Sequence, residues 1–121
     1  MVGSVMSMKT ELRRFRVLPG RMDLVNEWMH FLTSNLDAVI ETLDGERIFV
    51  ESIFGEHLDG ADYLYWYVVQ GEGGNNVRES DHWIDKKHIE YWDQCIDKAY
   101  DHVKLTSHAT MIPNHIQEQM V

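Results

Sequence analysis

From Thr10 to Leu18 the chain alternates, with Phe15 and Val17 on one face and Leu12, Arg14 and Arg16 on the other, which predicts a strand. Pro19-Gly20 stops it. The period then changes: Met22, Val25, Met29, Leu32, Leu36, Val39 and Leu43 recur at steps of three and four. That spacing predicts one long helix, its apolar stripe widened by Trp28 and its end marked by Asp44-Gly45. Arg47 to His57 alternates again, with Ile48, Val50 and Phe54 opposite Phe49, Glu51 and Ile53. Asp59-Gly60 supplies the positive φ of a type I′ hairpin turn, and the third strand, Asp62 to Val69, follows at once.

The run Gly71 to Asn76 is expected to form a mobile loop. A second helix is expected to begin at Ser80 or Asp85, to carry Ile89, Trp92, Ile96 and Ala99 inward, and to end near Tyr100. Asp101 to Ile112 alternates once more, Val103, Leu105, Ala109 and Met111 against His102, Lys104, Thr106, His108 and Thr110, until Pro113 ends it. Strand, helix, strand, strand, helix, strand is the βαββαβ order of a ferredoxin-like α+β protomer, with a four-stranded antiparallel sheet and helices on one face. The expected organisation is a frayed leader over residues 1–8, a single domain over 9–112 and a C-terminal tail over 113–121.

Two helices cover one face of such a sheet, yet the third strand is apolar on both. Tyr63, Tyr65 and Tyr67 alternate with Leu64, Trp66 and Val68. Tyrosine combines large apolar area with a hydroxyl that stays hydrated or pairs across a contact, so the tyrosine row is the expected interface of a homodimer.

Composition narrows the partners. Of 121 residues, 11 are basic and 20 acidic, a formal charge of −9 that repels phosphate backbones and anionic headgroups. No nucleic-acid or membrane partner is expected. Cys95 is the only cysteine, so no intrachain disulfide forms, and it reads as a core thiol. Met22, Met29 and Met111 read as gap fillers. No stretch has the pattern of a signal peptide or a membrane span, which makes a cytoplasmic protein the expectation.

The opening strand with Pro19-Gly20-Arg21, the segment Gly60 to Tyr67 and the segment Ser80 to His88 resemble a bacterial family of unknown function in the dimeric α/β-barrel superfamily. The resemblance runs from about Lys9 to Met111. It implies a ferredoxin-like protomer whose sheet packs face to face with that of its twin. In that family a proline typically follows the position of His82, whereas Trp83 stands there in this chain; Ile84, Asp85 and His88 match. The resemblance carries no established activity, substrate or catalytic residue.

His82, Asp85 and His88 are three apart, but on one helix the two imidazoles would point about 120° from each other, so no metal site is expected. His102 and His108 are separated by about 20 Å along an extended strand, too far to share an ion. General acid–base chemistry suits the residue types better. His82, His88 and Glu51 are the candidate catalytic groups, with Trp28, His57, Trp66 and Trp83 as candidate ligand-binding residues around a small organic molecule. The loop from Gly71 to Asn76 has no Lys-Ser or Lys-Thr after it and contains Glu72, which excludes a phosphate loop. No cofactor is expected. The sequence is thus read as a homodimeric small-molecule binding protein or cofactor-free enzyme of proton transfer or oxygenation. The competing reading is an assembly protein whose aromatic face serves dimerisation alone.

Overall fold

The computed structural model describes residues 8–120. Its elements are β1 (Lys9–Arg16), α1 (Met22–Ser34), α2 (Leu36–Glu46), β2 (Ile48–Leu58), β3 (Ala61–Gln70), a 3₁₀ turn (Val77–Glu79), α3 (Trp83–Cys95), β4 (Val103–Lys104) and α4 (Asn114–Gln117). The strands form one antiparallel sheet in the order β2-β3-β1-β4, so the protein is α+β. The leader expected over residues 1–8 lies, apart from Met8, outside the described residues. No helix of the described residues is long and apolar enough to cross a membrane.

The single long helix of the sequence reading is two helices. Asn35 leaves the helical region (φ −123°, ψ 36°), and its side-chain amide donates to the Phe31 carbonyl at 2.8 Å. This is the competition between an asparagine side chain and the helical ladder that disfavours it inside helices. Asp44 and Gly45 do not stop α2; they lie inside it, and the chain turns at Arg47, whose φ of 56° is left-handed.

Neither Ser80 nor Asp85 caps α3. His82 does, its Nδ1 accepting from the Ile84 amide at 3.2 Å, while Ser80 Oγ accepts from the His82 amide. The helix ends at Cys95 rather than near Tyr100 because the backbone is taken up by β1: Leu18 donates to the Cys95 carbonyl and Asp97 to the Arg16 carbonyl, both at 2.8 Å. The last strand is shorter still. Val103 and Lys104 pair with Arg14 and Arg13, and the Leu105 amide reaches Leu12. Continuing that register would bring Ser107 beside Thr10, yet Thr10 meets Thr110, hydroxyl to hydroxyl at 3.0 Å. Three extra residues are accommodated there, and the ladder expected as far as Ile112 is lost.

The core joins β1, β3 and the helices through Val17, Val25, Trp28, Leu64, Tyr91 and Cys95. Cys95 is fully buried, as a core thiol should be, and burial pushes its pKa up. Met22 and Met29 pack against this cluster, whereas Met111 is 86% exposed and fills no gap. Leu64, Trp66 and Val68 face the helices, and Tyr63, Tyr65 and Tyr67 line the opposite face with Arg14 and Arg16. The pairing of β2 shifts between Ile48 and Val50. The extra residue moves Ile48 to the side of Glu51 and Ile53, away from the Val50 and Phe54 set in which strict alternation placed it.

The run Gly71 to Asn76, expected to be mobile, is fastened to the end of α2. Gly71 donates to the Arg47 carbonyl at 2.8 Å, Asn75 to the Gly45 carbonyl at 3.0 Å, and the Gln70 side chain to the Glu46 carbonyl at 3.1 Å. Gly74 lies against that same carbonyl, and a Cβ there would fall 1.9 Å from the Glu46 oxygen. Gly74→Ala should therefore lower stability by about 1–3 kcal/mol, as overpacking does, in urea denaturation. A change below about 0.5 kcal/mol would mean the loop swings clear at little cost.

Candidate functional site

A cavity of about 560 Å³ lies between the helix-facing side of the sheet and α2 and α3. Every wall traces to a local feature. Val39 and Leu43 come from the apolar stripe of α2, a helix with no fully buried residue. Glu46 follows Leu43 by three positions and so continues that stripe. The bulge in β2 aims Ile48 and Glu51 the same way. Phe15, Trp66 and Trp92 form an aromatic side, Phe15 and Trp92 meeting edge to face at 4.7 Å and Trp66 and Trp92 at 5.1 Å. From α3 come Asp85 and His88, one turn apart, and Arg13 and Arg78 reach the rim from β1 and the 3₁₀ turn. An adjoining, more polar cavity of about 630 Å³ shares Glu46, Asp85 and the Gly74–Asn76 stretch and adds Glu41, Glu79 and His82.

Glu46, Glu51 and Asp85 thus line one cavity, with ion-paired Glu11 beside them. Burial, then Asp85 and Glu51, raise the Glu46 pKa from 4.5 to about 7. Glu51 is raised chiefly by burial and further by Asp85, against the lowering effect of the Trp66 indole, which donates to Glu51 Oε2 at 2.8 Å. Asp85 is 6% exposed, and among the described residues no side chain or backbone amide hydrogen-bonds or ion-pairs with its carboxylate. The two arginines are engaged elsewhere: Arg13 with Glu11 at 2.9 Å and Arg78 with Asp93 at 3.2 Å.

His88 supplies the complementary donor. Trp28, at 0% exposure, donates its indole N–H to His88 Nδ1 at 3.0 Å. An indole nitrogen only donates, so Nδ1 is unprotonated and the ring proton sits on Nε2. Burial, opposed by Asp85 and reinforced by Arg78, lowers the His88 pKa to about 4. The imidazole is neutral at pH 7. It can offer a hydrogen bond from Nε2 but is no cationic acid at that pH.

Of the sequence candidates, Glu51, His88 and Trp66 come together on this cavity, and Trp28 stands behind His88. His82 is apart from His88, capping α3 with Nδ1 and holding Nε2 3.7 Å from Glu41 in the adjoining cavity. Trp83 is 55% exposed and packs on Phe31 and His82. His57 lies at the far end of the β2–β3 hairpin, where its Nδ1–H donates to Asp62 at 2.8 Å. Glu46, and the inward aim of Asp85, were not singled out as functional. The available signal was an acid on an apolar stripe: Leu43 to Glu46 in α2, and Asp85 to Ile89 and Trp92 in α3. Among the described residues no group of three or more His, Cys, Asp or Glu side chains is arranged to hold a metal ion.

The fold, the cavity and its acids belong to a chain whose residues 8–118 match the model of a family of unknown function, DUF6176; the protein is a member of that family. No curated protein matches it.

The elevated Glu46 pKa gives a signed expectation for stability. Between pH 4.5 and about 7 the folded state holds a proton that the unfolded chain has lost, so this group's contribution falls as pH rises through that window. Glu46→Gln, a permanently neutral replacement, should raise the urea midpoint relative to the parent at pH 8 and leave it nearly unchanged at pH 4.5. Equal effects at both pH values would show that Glu46 ionises as an ordinary surface carboxylate.

Proposed function

We propose that this protein binds a small organic molecule in the α2–α3 cavity and moves a proton on it, using Glu46 as base and neutral His88 as hydrogen-bond donor. The observation that carries the reading is a carboxyl poised near pH 7 beside Glu51 and Asp85 in an aromatic-walled space. A base works best when its pKa is near the operating pH, and such shifts concentrate where charge has been brought together for use. The volume falls in the range of small-molecule sites, about 300–1,000 Å³. The stripe of α2 supports the same reading, since its Val39 and Leu43 border the cavity. Donor and acceptor both come from the chain, so the proposal needs no cofactor.

The same reading takes the chain as one ferredoxin-like domain that pairs with a second copy through its open sheet face. Supporting it are the strand order β2-β3-β1-β4 and the row of Phe54 and Leu58, 59% and 45% exposed, beside half-buried Tyr63, Tyr65 and Tyr67. The competing assembly-only role draws on this face alone and leaves the acids unexplained.

A thermal-shift screen of small aromatic and carbonyl compounds, followed by NMR of each stabilising compound in D₂O, tests the chemistry. Stabilising compounds should exchange a carbon-bound hydrogen for deuterium, with a rate that rises with pH through about 7 and drops about 10²-fold or more in Glu46→Gln. A broad library with no stabilising compound, or exchange indifferent to Glu46, would remove the proposal. For assembly, light scattering should report a dimer in the parent protein and a monomer in Tyr65→Asp, since a charge placed in an apolar contact must be desolvated unpaired. A monomeric parent at micromolar concentration would refute the pairing.

A further inference from the structure

Glu46, Glu51 and Asp85 have no ion-pair partner among the described residues, and this deepens the functional reading, on which it rests, by defining the ligand's charge. Asp85 is the decisive residue. It is more than nine-tenths buried, it lines both adjoining cavities, and no donor of the described chain approaches its carboxylate. Its carboxylate opens on the cavity without a hydrogen-bond donor of the chain to meet it, and folded proteins answer such a group with a cation, a proton or a ligand. The cations that line the cavity are committed: Arg13 pairs with Glu11 and Arg78 with Asp93, while His88 accepts from the Trp28 indole with its ring neutral. Beside the acids stand the rings of Phe15, Trp66 and Trp92, whose faces attract cations.

We infer that the ligand is a small organic cation, an amine or guanidinium carrying an apolar or aromatic body, whose charged head sits between Asp85, Glu51 and Glu46 and whose body rests against Trp66 and Trp92. A bare ion would leave those aromatic walls and most of the about 560 Å³ unfilled. An anionic ligand would meet carboxylates and no free cation of the lining. Glu46, Glu51 and Asp85 face the head from α2, β2 and α3; Glu11, Arg13 and Arg78 surround them from β1 and the 3₁₀ turn, paired as described.

The inference is tested on the full chain by isothermal titration with three compounds sharing one indole body: tryptamine as cation, tryptophol as neutral analogue and indole-3-acetate as anion. Tryptamine should bind at least tenfold more tightly than tryptophol, and indole-3-acetate more weakly still, in line with the strength of hydrogen bonds to charged groups. Asp85→Asn and Glu51→Gln should each weaken tryptamine about ten- to a hundredfold and weaken tryptophol far less. Because Asp85 stands in the first turn of α3 and its replacement could perturb folding, a measurement on the unmutated protein accompanies it. Near pH 6.5, titrations in buffers of different ionisation enthalpy should show proton release on tryptamine binding, as Glu46 gives up its proton to the incoming charge.

Tighter binding of tryptophol or indole-3-acetate overturns the cation and leaves the small-molecule site standing. Absence of proton release with equal binding of all three does the same. No binding of tryptamine at millimolar concentration, while an uncharged compound from the thermal-shift screen binds and exchanges its hydrogen, overturns the cation as well. No binding by any compound in either experiment overturns both readings.

Discussion

The hydrogen bond from the Trp28 indole to Nδ1 of His88 ties the packing of the core to the chemistry of the cavity. Trp28 is the largest fully buried side chain, its ring within 5.5 Å of Trp66, 6.0 Å of Trp92 and 6.3 Å of Tyr91, centre to centre. A buried indole N–H must find an acceptor, and in an apolar cluster the choices are few. His88 fills that need only with Nδ1 unprotonated. The requirement of the core therefore sets the tautomer of a residue that also faces the cavity, and burial then keeps the ring neutral far below pH 7. Protonating His88 would turn an acceptor into a donor facing a donor, so the imidazole can titrate only by breaking the bond that orients it.

The cavity itself follows from the break at Asn35. A continuous helix from Met22 to Leu43 would have laid its stripe along one line of the sheet. In the structure α1 buries Val25 and Trp28, while α2, set off by Asn35, buries no residue fully and leaves Leu36 and Ile40 52% and 54% exposed. The end of α2 is held by backbone bonds from Gly71 and Asn75 and by the Gln70 amide more than by apolar contact. Space stays open beneath it, with Glu46 at its margin. Hydrogen bonds fix position without filling volume, which is what a site preorganised for an occupant requires.

These relations also explain what could be read from the residues beforehand. Alternation in β3 is governed by a period of two with no bulge, so the opposed rows of Tyr63, Tyr65, Tyr67 and Leu64, Trp66, Val68 were legible. Apolar spacing identified α1, and Glu51 and His88 were recognisable as candidates by residue type. The failures share one form: hydrogen bonds, tertiary at β1 and β4 and local at Asn35, overrode the apolar pattern. The backbone of β1 claimed Cys95 and Asp97 and cut α3 short, the Thr10–Thr110 contact displaced the expected register of β4, and the Asn35 side chain ended α1. Periodicity describes faces and says nothing about a partner distant in sequence. Convergence of Glu46 from α2 with Asp85 from α3 is a property of that kind. An acid interrupting an apolar stripe was its only trace in one dimension.

Why such a cluster persists in a chain already at −9 is an electrostatic question with a local answer. Charges in solvent are screened over about 8 Å at physiological ionic strength, so the overall excess of acids weighs little on the cavity. What Glu46 feels is first its own burial and then Asp85 and Glu51, whose charges act more strongly through a medium poorer than water than in bulk solvent. With its pKa at about 7, Glu46 retains a proton near neutrality, and a charge brought into the cavity acts on that proton.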